Sequence, residues 1–171
     1  MSILTNLQKQ IKMNKLLTLS LFMCLAAWGC KENSTSIGEM TFTEGKVQHV
    51  VRANDIQWKP CPPNLPEGCE MAVLEGNPKG EDLFTVRFRI NGTFVMPAHT
   101  HPKDERVTIL AGAAYVGFGN DATRESSKSF GPGDYYVNAR NEIHKVWADP
   151  GTIIQITGIG PWEANYVTEN N

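Results

Sequence analysis

The chain has 171 residues, 41% of them hydrophobic and 20% charged, with 16 Lys+Arg against 18 Asp+Glu and a net charge of −2. That length holds one domain with a sizeable core, and the charge balance excludes a basic nucleic-acid binder. Fifteen Gly, ten Pro and four Cys also exclude a collagen-like repeat and a dense disulfide scaffold, and the apolar share excludes a disordered chain.

At the N-terminus Lys15 precedes a mostly apolar run, Leu16 to Ala27, which closes at Gly29 and Cys30. A basic start, an apolar stretch and a small-residue end make a secretory signal over residues 1–29, with Met13 as a candidate true start. The run is shorter than the roughly 20 apolar residues a membrane span needs. Ala27-Trp28-Gly29-Cys30 resembles a bacterial lipobox, although Trp28 stands where a small residue is usual. The resemblance implies lipidation at Cys30 and a membrane-anchored lipoprotein facing the periplasm or cell surface, plain secretion being the alternative. Residues 30–45 then read as the lipidated Cys and a flexible tether rich in Ser, Thr, Glu and Asn. Removing Lys9, Lys12 and Lys15 with the signal takes the net charge from −2 to −5.

Residues 46–171 are read as one domain, broken by Gly, Pro or Asn into short runs. Candidate strands are Val47–Val51, Met71–Leu74, Leu83–Ile90, Thr93–Met96, Arg106–Leu110, Ala113–Phe118, Lys128–Phe130, Asp134–Val137, Ile143–Trp147 and Ile153–Ile159. In one of them Phe84, Val86, Phe88 and Ile90 alternate with Thr85, Arg87 and Arg89, the period of a half-buried strand. Many short strands and no helical stripe predict an all-β sandwich or barrel. Between the first two runs, the segment from Lys59 to Cys69 holds four Pro and must be an extended, turning loop. In an exported domain, Cys61 and Cys69 at that spacing favour a structural disulfide over two buried free thiols.

The chemistry concentrates in His99-Thr100-His101, Glu105 and the distant His144. Imidazoles at i and i+2 project from one side of a strand, where both reach one ion, and a short turn brings Glu105 back. Neutral imidazoles plus a carboxylate suit a divalent transition metal such as Fe, Mn, Ni, Cu or Zn. His49, far from the cluster in sequence, reads as an exposed strand residue.

Gly92-x6-His99-x-His101-x3-Glu105-x6-Gly112 resembles the first motif of the cupin superfamily, with one extra residue after Gly92. Gly133-x5-Ala139-x-Asn141-x2-His144-x3-Ala148 is similar to the second, with Ala139, Asn141 and Ala148 replacing its usual Pro, Gly and Asn. Trp58-Lys59-Pro60 and Leu65-Pro66-Glu67-Gly68, with Gly158 to Trp162, resemble small single-domain bacterial cupins of the ChrR-like sort. The resemblance implies an antiparallel β-barrel (jelly roll) in which His99, His101, Glu105 and His144 bind one divalent metal, with Glu105 as ligand or catalytic base. It implies a homodimer and a small-molecule ligand or substrate. A metal-dependent dioxygenase-type oxidoreductase is the expected function. A non-catalytic binding or sensing lipoprotein and an isomerase or lyase are the alternatives. Phe88, Phe94, Tyr115, Phe118, Tyr136, Trp147 and Trp162 are candidate pocket aromatics.

Overall fold

The structure, a computed structural model, describes residues 37–167. The signal segment 1–29, the lipidation candidate Cys30 and most of the expected tether lie outside the described residues. Where the tether is described it is exposed, but Gly38 touches the domain, its N–H donating to the Asp82 carboxylate at 2.6 Å. The Gly38 and Leu83 N–H groups together hold that carboxyl below its usual range.

Eleven strands follow in chain order: β1 (Lys59–Pro60), β2 (Cys69–Glu75), β3 (Leu83–Ile90), β4 (Phe94–Thr100), β5 (Glu105–Ala111), β6 (Ala114–Phe118), β7 (Lys128–Phe130), β8 (Tyr135–Asn138), β9 (His144–Ala148), β10 (Ile153–Ile159) and β11 (Asn165–Tyr166). They form one sheet in the order β1-β2-β3-β10-β5-β8 and another in the order β11-β4-β9-β6-β7. Every pairing is antiparallel. From β3 to β6 and again from β7 to β11, successive strands change sheets, which is the jelly-roll path. No ladder joins one sheet to the other among the described residues; side chains of their inner faces hold them together. Phe84, Val86, Phe88 and Ile90 of β3, Val107 and Ile109 of β5, and Ile154 and Ile156 of β10 meet Phe94, Met96, Ala114 and Ala148 from the second sheet.

The outer face of β3 shows why its polar residues alternate. Thr85 bonds Thr157 at 3.1 Å, Arg87 donates to Gln155 at 2.9 Å, and Arg89 pairs with Glu70 at 2.6 Å. Each is a direct cross-strand partner, the arrangement in which side-chain pairs stabilise a sheet. Arg140 likewise faces outward and grips Asp104 through two bonds of 3.0 Å.

One irregularity aims the candidate site. Along β4, Phe94, Met96 and Ala98 are buried and Val95 and Pro97 exposed, but the next buried residues are His99 and His101. The register with β9 shifts by one residue between Met96 and His99. The extra residue at Pro97–Ala98 is a β-bulge, and it reverses which parity points inward. The motif's one additional residue after Gly92 is taken up in this way, and both imidazoles stay inside. Pro97 is tolerated there because a bulged residue need not donate to the ladder.

The structure corrects the sequence reading at both ends. Val47–Val51 is exposed and forms no strand, and a 3-10 turn follows at Ala53–Asp55. Val47, Val50 and Val51 stay exposed, and among the described residues no strand pairs with that run. β4 continues past Pro97 to Thr100, and β11 lies in a segment too short to show a period. His49 sits outside any strand, its ring bonded to the Leu74 carbonyl at 2.7 Å.

Turn geometry explains two motif positions. Gly112 has φ +72°, and a Cβ there would lie 2.5 Å from the Oγ1 of buried Thr152, so only Gly fits. Asn141, standing where the resembled motif has Gly, has φ +64°, a conformation Asn tolerates and β-branched residues do not. Its N–H donates to the His101 carbonyl at 2.9 Å, tying the β8–β9 turn to the site. Asn141→Gly is therefore expected to leave urea stability nearly unchanged, while Asn141→Val loses about 1–2 kcal/mol. Equal stability of the two variants would contradict this role.

Candidate metal centre

Each of the three imidazoles is fixed by a backbone carbonyl. His99 Nδ1 lies 2.7 Å from the Pro97 oxygen, His101 Nδ1 2.6 Å from the Glu163 oxygen, and His144 Nδ1 3.0 Å from the Glu142 oxygen. A carbonyl oxygen only accepts, so each Nδ1 carries the hydrogen, and a ring in its neutral form keeps a lone pair on Nε2. Binding the other ring nitrogen in this way is how metal-ligating histidines are oriented.

The three lone pairs face one another. Nε2 of His99 and Nε2 of His101 are 3.2 Å apart, a separation at which two acceptors without a shared hydrogen repel. Nε2 of His144 is fully buried and has no hydrogen-bond partner among the described residues. The ligand atoms of all three rings lie within 4.8 Å of one another. Buried polar atoms are ordinarily satisfied, and a cation at the convergence point satisfies all three. The donor set thus fits a divalent transition metal.

Glu105 brings a carboxylate to the same point. Its Oε1 lies 3.3 Å from His101 Nε2 and its Oε2 3.8 Å from His144 Nε2. The side chain enters because Glu105 shares the inward parity of Val107 and Ile109 on β5. Two donors hold it: Asn138 Nδ2–H to Oε2 at 3.1 Å and Trp162 Nε1–H to Oε1 at 3.2 Å. Asn138 is the cross-strand partner of Glu105 on β8 and is itself buried. A buried carboxylate is tolerated only with such partners and a compensating charge nearby.

The site's electrostatics follow from burial. Burial first, and the neighbouring His144 next, push His99 from its ordinary 6.5 down to about 4. Burial likewise lowers His144. Both are neutral at neutral pH, the form that ligates metal. Burial, and then the nearby Glu105, raise Tyr136, so its phenol keeps its proton.

The C-terminal segment closes the site. Trp162 stacks on His101 at 5.5 Å between ring centroids and packs against Phe88 at 5.7 Å. Beyond it β11 pairs Tyr166 with His99 and Asn165 with Thr100. Beside the cluster lies a cavity of about 60 Å³, lined otherwise by apolar side chains of both sheets, by Leu65 of the loop between β1 and β2, by Tyr136 and by Trp162.

All four expected ligand residues are therefore brought together, and His49 is not among them. Of the candidate pocket aromatics, Phe88, Phe94, Tyr136 and Trp162 line the cavity. Tyr115, Phe118 and Trp147 do not: Tyr115 lies under Arg124, Phe118 is exposed, and Trp147 faces a groove on the outer side of its sheet. The sequence reading missed Asn138 and the Glu163 carbonyl. The first was signalled by its inward parity on β8; the second is a main-chain atom that no residue type marks. Cys61 and Cys69 are joined as a disulfide with Cα atoms 5.6 Å apart.

No curated protein matches the chain. Among solved structures, the polyketide cyclase RemF from Streptomyces resistomycificus is 17% identical with a TM-score of 0.58, over 73% of this chain and 89% of that one. An acetylacetone dioxygenase from Acinetobacter johnsonii is 17% identical with a TM-score of 0.56, over 79% and 85%. An RmlC-like cupin from Shewanella frigidimarina is 14% identical with a TM-score of 0.51, over 67% and 93%. At such identities the likeness is one of fold. The model of the ChrR cupin-like domain matches residues 46–163, and with the two-sheet jelly roll this places the chain in the ChrR-like family of the cupin superfamily.

Proposed function

We propose that the protein is a metal-dependent, dioxygenase-type oxidoreductase acting on a small molecule. The observation that carries this reading is the convergence of three buried Nε2 lone pairs and a carboxylate beside an apolar cavity. His99, His101, His144 and Glu105 are the ligands in this reading. When bound there, Fe, Mn, Ni, Cu or Zn polarises an oxygen ligand, and the redox-active ones among them exchange electrons with O₂. Four protein ligands leave about one or two positions for ligand or water on a metal that takes five or six.

The residues around the ion have distinct tasks. The Pro97, Glu163 and Glu142 carbonyls hold the rings in the ligating tautomer. Asn138 and Trp162 steady Glu105, which serves as ligand or, with one oxygen released, as a base for a substrate proton. Apolar walls line the space beside the site, and Tyr136 among them keeps its phenol proton.

Residues 46–171 act, in this proposal, as a single exported domain held to a membrane by lipid at Cys30. The basic-apolar-small pattern before that Cys supports it. A homodimer would form through sheet edges, β8 being an edge strand with exposed Tyr135 and Val137. In an expressing bacterium the wild-type protein is expected in the detergent phase on partitioning, and Cys30→Ala in the aqueous phase. Aqueous wild-type protein would sink the anchor. For the activity, oxygen uptake is measured on metal-loaded protein with panels of small diketones, phenols and thiols. Uptake with at least one class, abolished in His101→Ala, is the expected result. Turnover without O₂ points instead to an isomerase or lyase, and a loaded but inert protein to a binding or sensing lipoprotein.

A further inference from the structure

The cavity beside the metal centre is defined by one side chain that neither the strands nor the metal cluster fix. Most of its lining comes from strands, as with Phe88, Phe94, Met96 and Ile154, and Trp162 is locked by its bond to Glu105 and its stack on His101. The remaining wall is Leu65, which comes from the Pro-rich loop between β1 and β2. Leu65 is buried although its neighbours Pro63 and Asn64 are exposed. A surface loop that sends one aliphatic side chain into a ligand cavity helps to set its shape.

The loop is held independently of the ligands. The Cys61–Cys69 disulfide joins its ends, and the Leu65 N–H donates to the Pro62 carbonyl at 2.9 Å. Its base is tied down by Asn91 N–H to the Gly68 carbonyl at 2.8 Å. Its tip is latched across the molecule by the Tyr166 hydroxyl, which donates to the Asn64 carbonyl at 2.7 Å. Pro60, Pro62, Pro63 and Pro66 restrict the chain on both sides of Leu65.

Size and polarity of the space then limit what it accepts. At about 60 Å³, the cavity is small. Apart from the ligand residues, Tyr136 and the committed Trp162 indole, every lining side chain is a hydrocarbon or thioether, and none is Lys or Arg. A charged group away from the metal would be buried without a partner, at a cost of several kcal/mol.

We propose that Leu65 is the specificity-determining residue of this site, restricting it to metal-chelating molecules with a short, uncharged, apolar tail. The proposal rests on the metal-centre reading above and deepens it by naming the ligand class. A sugar acid or a dicarboxylate does not fit. A compact molecule fits whose oxygens meet the metal and whose hydrocarbon part packs against Leu65, Phe88, Phe94 and Met96.

The test uses the full chain loaded with Co(II), whose visible absorption reports ligand exchange, and a series of hydroxamates with one chelating head and varied tails. Acetohydroxamate and propionohydroxamate are expected to bind, while hexanohydroxamate, benzohydroxamate and a carboxylate-tailed hydroxamate bind about tenfold or more weaker. In Leu65→Ala the hexanoyl and phenyl compounds should gain about tenfold or more, with acetohydroxamate and Co(II) affinity little changed. The Cys61→Ser/Cys69→Ser pair, which frees the loop without touching Leu65, should move the cut-off the same way. Wild-type and Leu65→Ala proteins that hold Co(II) and rank all tails alike would overturn the Leu65 proposal and leave the metal centre standing. Folded wild-type protein that takes up no Co(II) would overturn both.

Discussion

The structure turns on the convergence of buried acceptor atoms at one point. Three imidazoles spend their Nδ1–H groups on the Pro97, Glu163 and Glu142 carbonyls, so three Nε2 atoms must meet inside a largely apolar sandwich. Two of them approach to 3.2 Å and a third has no partner. A carboxylate, Glu105, is drawn into the same space. Without a cation the cluster gathers buried acceptors at close range, which folding energetics penalises. With one, each acceptor is satisfied.

Much of the rest of the architecture serves that convergence. The bulge at Pro97–Ala98 reverses the parity of β4 so that His99 and His101 point in. The β5–β8 ladder sets Asn138 against Glu105. The segment after β10 supplies the Glu163 carbonyl and the Trp162 indole and then docks as β11 against the ligand-bearing end of β4. A substitution in the bulge or at Asn138 is expected to act through the geometry of the donors, not through contact with a ligand.

The legible part of this was the part written in side-chain type and period. The alternation of Phe84 to Ile90 marked β3, and the His-x-His pair with Glu105 and His144 marked the donor set before any coordinates. The fold class followed from short strands and two motifs. Less visible was whatever depends on the main chain or on a change of period. Val47–Val51 has the composition of a strand, yet no neighbouring edge pairs with it. Pro97 reads as a strand end, yet it marks a bulge within one. Asn141 in place of a motif Gly reads as a loss, yet it adopts the same left-handed turn at φ +64°. The cavity wall from Leu65 was hidden because a Pro-rich loop carries no period to show which residue turns inward.

The central claim is that the four side chains form one metal site, and its position is the direct test. The protein is loaded with a divalent transition metal, dialysed and crystallised, and anomalous differences are collected at that metal's absorption edge. One dominant peak, bonded to Nε2 of His99, His101 and His144 beside Glu105, is expected. Dialysed His101→Ala is also expected to lose the metal by elemental analysis while His49→Ala keeps it. A folded protein without that peak, or equal metal loss in the two variants, would contradict the claim.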